Sequence, residues 1–182
     1  MTSEGLRPPR SRRSPVAALA VALAAAGGSG CSASPPRSEP LAAWLSFHAS
    51  AKTITLRLIA AYNGVYQGFN FNGYGKGQVL VEVPRGWRVN VRCVNKSSSV
   101  RHSCAIVRGV SRTTPAFPGA ASRGPHYGLP PRHAAAFSFL ATRTGTYRIV
   151  CLVPGHEQAG MWNVLDVMHR RLPAVVLLRR PP

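Results

Sequence analysis

Between Thr53 and Val167 the chain repeats one pattern: short runs in which every second residue is apolar, cut by Gly, Pro, Ser and Asn. KTITLRLIAA puts Ile54, Leu56 and Leu58 on one face, and QVLVEV does the same with Val79, Val81 and Val83. After the turn Pro84–Gly86, WRVNVRCVN aligns Trp87, Val89, Val91 and Cys93. HSCAIV, AAAFSFLA, TYRIVC and WNVLDV follow, with Phe137 and Phe139 sharing a face in the second of these. A period of two is the signature of a strand that buries one side, and its runs are too short and too often interrupted for amphipathic helices. Seven or so such runs predict an all-β domain, an antiparallel Greek-key β-sandwich. One stretch breaks the rhythm: residues 109–132 are rich in Pro and Gly and predict a long surface loop.

The ends read differently. Arg7, Arg10, Arg12 and Arg13 precede the apolar run Val16 to Ala26, which is too short to span a bilayer and fits the middle of an export signal over residues 1–30. GGSGC, ending at Cys31, resembles a lipoprotein cleavage box, with Gly28 where Leu is usual. Lipidation of Cys31 and an ordinary cleaved signal are the two readings. Residues 31–49 are expected to be a flexible tether, residues 50–167 the folded domain, and residues 168–182 a basic and apolar tail. The chain carries 23 Lys and Arg against 5 Asp and Glu; without residues 1–30 it keeps 19 and 4, a charge of about +15. No basic helix or aromatic-interleaved module accompanies this charge, so nucleic acid is not the expected partner. The charge suits acidic partners or anionic headgroups. Export permits disulfides, and for Cys93 and Cys104 a bridge and a pair of buried thiols both stand.

CLVPGHEQAGMW, residues 151–162, concentrates Cys151, His156 and Met161 in five-residue steps around Pro154 and Gly155. On a helix such a step turns the side chains apart, and on a strand it sends them to opposite faces. A loop that doubles back aims all three at one point. Thiolate, imidazole and thioether together suit copper, in a His2Cys site with a weak axial Met. The second His must come from elsewhere. His48, His126, His133 and His169 lie before the first clear strand, beside the Pro-rich loop or in the tail. His102 opens a strand after the turn KSSSVR, where it faces the end of the sandwich that the 151–161 loop must occupy.

These residues resemble those of the cupredoxin (type 1 blue copper) superfamily: a His some fifty positions before Cys-x4-His-x4-Met, entered through a Gly-x-Tyr strand (Gly145, Tyr147). The ligand spacing is similar to the rusticyanin and sulfocyanin branch, and FNFNG (69–73), AFPGA (116–120) and AGMW (159–162) resemble sulfocyanin. The resemblance covers roughly residues 50–167. It implies one copper ion held by His102, Cys151 and His156 with Met161 axial. It gives Ser103 the role of pinning the two ligand segments together, and Tyr147 that of anchoring the strand into the site, an ordinary core aromatic being its alternative.

The implied function is a one-electron carrier cycling Cu(I) and Cu(II), not an enzyme. Its edge at His156 would be the electron port, with Met161 and Trp162 supplying apolar surface around it. Its partners would be redox proteins such as a cytochrome or terminal oxidase. The expected state is a monomer at the outer face of the cell membrane or in the periplasm, anchored through a lipidated Cys31. A copper storage or delivery protein is the alternative. Val150 and Leu152 flank Cys151 where a multicopper oxidase needs His, and the loop has no second Cys for a binuclear centre. Zinc seldom takes Met. Covalent haem needs a C-x-x-C-H run, and a Cys-His hydrolase needs an orienting acid; neither pattern occurs.

Overall fold

The computed structural model describes residues 37–169 and 171–179; the expected export signal and the candidate lipidation site Cys31 lie outside them. Two sheets face each other. The first has the order β1 (Leu45–His48), β2 (Thr53–Ala60), β4 (Arg88–Asn95) and β6 (Ala134–Leu140). The second runs β5 (Ala105–Val107), β7 (Gly145–Val150), β8 (Trp162–Met168), β3 (Val79–Pro84) and β9 (Ala174–Leu177). The alternating residues meet between them: Ile54, Leu56, Leu58, Val79, Val81, Val83, Val89, Val91, Phe139, Ile149 and Leu165 are all buried. Each such side chain stabilises the fold by about 1.5–3 kcal/mol through burial.

The all-β sandwich is as the alternation predicts, but not every pairing is antiparallel. β2 pairs with β4 in parallel, as β3 does with β8. The chain crosses to the opposite sheet after β2 and returns after β3, so β4 arrives beside β2 running the same way. A crossover, unlike a hairpin, delivers parallel neighbours.

Both domain boundaries need correction. Residues 45–48, expected in the tether, form β1 and pair with β2 in register from Leu45↔Leu56 to His48↔Thr53. Trp44 is fully buried, and Glu39 pairs with Arg57 and accepts a hydrogen bond from Asn72. An indole and a paired carboxylate anchor this segment, which its Pro-rich and polar neighbours disguise. At the other end β9 pairs antiparallel with β3. The apolar run of the tail is thus an edge strand covering β3.

Cys93 on β4 and Cys104, just before β5, form a disulfide, with Cα atoms 5.9 Å apart. Both are fully buried, so the bridge staples one sheet to the other through the core. The Pro-rich stretch is the long connection expected, yet it is not peripheral. Phe117 reaches the core, stacked on Phe139 (5.2 Å between centroids) and tilted against Tyr147 (4.9 Å).

Candidate metal centre

The loop after β7 doubles back through its own backbone. His156 N–H donates to Val153 O (3.1 Å), Met161 N–H to His156 O (2.9 Å), and Cys151 N–H to Met161 O (3.2 Å). Gly155 (φ 84°) and Gly160 (φ 104°) take left-handed conformations that side chains disfavour. That closure brings Cys151, His156 and Met161 to one end of the sandwich.

His102 arrives from the other side. It precedes β5 rather than opening it; the regular strand begins at Ala105. The segment is held by a two-way bridge, His102 N–H to Leu129 O (3.3 Å) and Leu129 N–H to His102 O (2.7 Å). Gly128 makes this approach feasible: a Cβ there would stand 2.7 Å from Val153 Cγ2 and 3.1 Å from His102 O. The disulfide at Cys104 fixes the chain two residues on.

The ligand atoms of His102, Cys151 and His156 all lie within 4.8 Å of one another, and the three residues are buried. The imidazole centroids are 4.9 Å apart. His156 Nδ1 is 3.3 Å from Cys151 Sγ. His102 Nδ1 is buried and has no hydrogen-bond partner. Leaving such a nitrogen unsatisfied costs about 1–3 kcal/mol; a metal ion in the shared space would satisfy it. Met161 is fully buried beside them.

Electrostatics favours the same occupant. Burial, and secondarily His156, pushes the His102 pKa down to about 4. Burial also lowers His156, so both rings are neutral donors at neutral pH. Burial raises the Cys151 thiol, while hydrogen bonds from Ser103 and Val153 act in the opposite direction. The cavity therefore resists charge on each group alone yet supplies donors to a thiolate. A soft cation reconciles the two, since it binds neutral imidazole and thiolate together.

Ser103 links the two ligand segments. Its N–H donates to Cys151 Sγ (3.2 Å), its hydroxyl lies 3.6 Å from that sulfur, and Leu152 N–H donates to Ser103 Oγ (2.9 Å). Tyr147 is elsewhere. Its hydroxyl donates to Arg143 O (2.8 Å) and its ring packs on Phe117, which makes it a core strut four residues from Cys151.

The surroundings of His156 differ from expectation. At 8% exposure it is the least covered of the four candidate ligands, but Met161 is fully buried and adds no surface. Trp162 lies under Arg148, with the guanidinium 3.7 Å above its ring. The cover comes instead from Phe69, edge-on to His156 (4.8 Å) and to His102 (6.2 Å). Phe69 belongs to FNFNG, whose two asparagines fix the excursion. Asn72 Oδ1 accepts from Ile59 N–H (2.6 Å), and Asn70 Oδ1 accepts from Tyr62 and Gly73 N–H (3.2 and 3.0 Å). Buried amides stand in for missing sheet partners there. A second clamp is Glu157, next to His156, which pairs with Arg148 (2.8 Å) and accepts from Ser111 N–H. The adjacency of Glu157 to a ligand is the only sequence signal for it.

Comparison with known proteins follows the same lines. The sulfocyanin (SoxE) domain family matches residues 40–125, a span that starts before β1 and includes His102. A sulfocyanin from Sulfolobus acidocaldarius is 28% identical over 132 residues, covering 65% of this chain and 65% of that protein's length. A crystal structure of variant rusticyanin superposes with a TM-score of 0.50 at 21% identity, covering 64% of this chain and 78% of that one. Reduced auracyanin from Roseiflexus castenholzii gives 0.47 at 22% identity, covering 63% and 96%. The chain has the cupredoxin-like fold of rusticyanin, and its sequence is similar to sulfocyanin.

Proposed function

We propose that this chain is an exported, mononuclear blue-copper electron carrier, in which His102, Cys151 and His156 would hold the ion and Met161 would add a thioether donor. The observation that carries the reading is the buried three-donor cluster with its unpartnered His102 nitrogen. Bound copper supplies a centre that accepts and returns one electron. The chain supplies the rest. Ser103 directs an N–H at the Cys151 sulfur and ties its strand to Leu152. The Leu129 bridge, the disulfide and the closed 151–161 loop hold the donors in a fixed frame, so little reorganisation accompanies a change of charge. Phe69 and the sandwich exclude water. His156, the most exposed of the four, is the contact for a redox partner such as a cytochrome or terminal oxidase.

The chain acts as a monomer and not as an enzyme, at the outer face of the membrane and tethered through Cys31. Reconstitution with copper tests the site: the oxidised protein should show an intense band near roughly 600 nm from a short copper–thiolate bond. His156→Gly should open the site to added imidazole, with a changed spectrum; an unchanged one refutes the ligand assignment. Stopped-flow exchange with a cytochrome separates carrier from delivery protein. A carrier cycles while retaining its metal, whereas release of Cu(I) to a chelating acceptor on the same timescale favours delivery.

A further inference from the structure

A cavity of about 530 Å³ opens where the long connection after β5 leaves the second sheet. Arg108, Arg112 and Arg143 line it together with Ser111, Thr113 and Thr114, and no carboxylate does. The two ion pairs among the described residues engage Arg57 and Arg148, which lie outside it. Among the described residues Arg108 and Arg112 have no hydrogen-bond or ion-pair partner. Arg143 is pinned: Nη2 donates to Ala116 O (2.6 Å) and the guanidinium rests 5.7 Å from the Phe117 ring centroid. Three like charges around one hollow repel one another unless an anion sits between them. Guanidinium forks match the oxygens of a phosphate, and hydroxyl groups complete such a site.

We propose that this cavity binds a phosphate-class oxyanion. Arg112 and Arg108 supply the free forks, Arg143 a fixed one, and Ser111, Thr113 and Thr114 neutral donors. The site adjoins the metal loop. Ser111, Arg112 and Thr113 also border a second hollow lined by Cys151 to Gly155 and by Glu157. The N–H of Ser111 is held by the Glu157 carboxylate at 3.2 and 3.4 Å. Ser111 adopts φ 52°, a left-handed conformation uncommon for serine. The oxyanion is therefore recognised one hydrogen bond away from the residue that follows His156.

The chemistry is shared by inorganic phosphate and by the phosphodiester of an anionic phospholipid headgroup. Calorimetric titration of the copper-loaded full chain, at fixed ionic strength, tests both with two soluble probes: inorganic phosphate and glycerophosphoglycerol, the deacylated headgroup. Chloride is the control. The expected result is saturable one-to-one binding of at least one probe, weakened at least tenfold in R108Q/R112Q. Tighter phosphate identifies the free anion, and tighter glycerophosphoglycerol the headgroup. The variant's visible band and unfolding midpoint should match the parent's, because Arg108 and Arg112 are exposed. Absence of saturable binding by both probes, or equal binding in R108Q/R112Q, overturns the proposal.

Discussion

Removing the disulfide is the sharpest test of how this sandwich is held. Cys93 and Cys104 are 11 positions apart, so the bond closes a loop of roughly 12 residues. Loop-closure entropy for that length corresponds to about 3 kcal/mol at 25 °C. Both sulfurs are fully buried, so Cys93→Ala/Cys104→Ala also loses packing, about 1 kcal/mol for each deleted atom. The double variant should therefore be about 4–5 kcal/mol less stable in urea unfolding of the metal-free protein. Its melting temperature should fall by roughly 10–15 °C. The bond acts as a unit, so each single variant should lose the same entropic share and the two losses should not add. Burial makes a kinetic statement as well: under native conditions dithiothreitol should reduce the bridge no faster than the domain opens. A double-variant loss below about 1 kcal/mol, or additive singles, would refute the staple.

Three further outcomes follow from particular contacts. Ser103→Ala leaves the Leu152 N–H without its acceptor and should cost about 1–3 kcal/mol by denaturant unfolding, with a shift in the visible band of the copper-loaded protein. Trp44→Ala should cost about 3–5 kcal/mol, measured the same way; a change within about 0.5 kcal/mol would restore the tether reading of that segment. The stability of the metal-free protein should fall with acid. His102 has a folded pKa near 4, below its ordinary 6.5, so the unfolded chain takes up the proton first. Stability is full above about pH 6.5 and declines as pH falls, with up to about 3 kcal/mol lost at pH 4 through His102; His102→Gln should reduce the decline in urea titrations across that range, leaving the part due to His156, whose pKa burial also lowers.

The sequence made the core legible because burial on one side of a strand imposes a period of two. Ile54, Leu56 and Leu58, like Val79, Val81 and Val83, face inward as that period requires. The loop 151–161 was legible for the opposite reason: its ligand spacing fits no regular element, and the chain doubles back as that misfit demands. Pairing partners were not legible. Nothing in the composition of β2 tells whether β4 arrives parallel or antiparallel, because that depends on which sheet the intervening chain visits. β1 and β9 hid for want of alternation; each is an exposed edge strand with only partial burial. Phe69 was visible as part of a motif, but its contact with both imidazoles depends on Asn70 and Asn72 replacing sheet hydrogen bonds. Glu157, Arg148 and Ser111 meet only in three dimensions.

Three of the four candidate ligands sit within eleven consecutive residues, while His102 stands 49 positions upstream of Cys151. The nascent loop alone therefore offers an incomplete grip on a metal. The missing nitrogen arrives only once β5 has docked on β7 and the Leu129 bridge has closed. Maturation then has an order: the apoprotein must acquire its architecture before the ion is captured tightly. A chain translocated unfolded would travel empty and be loaded at its destination.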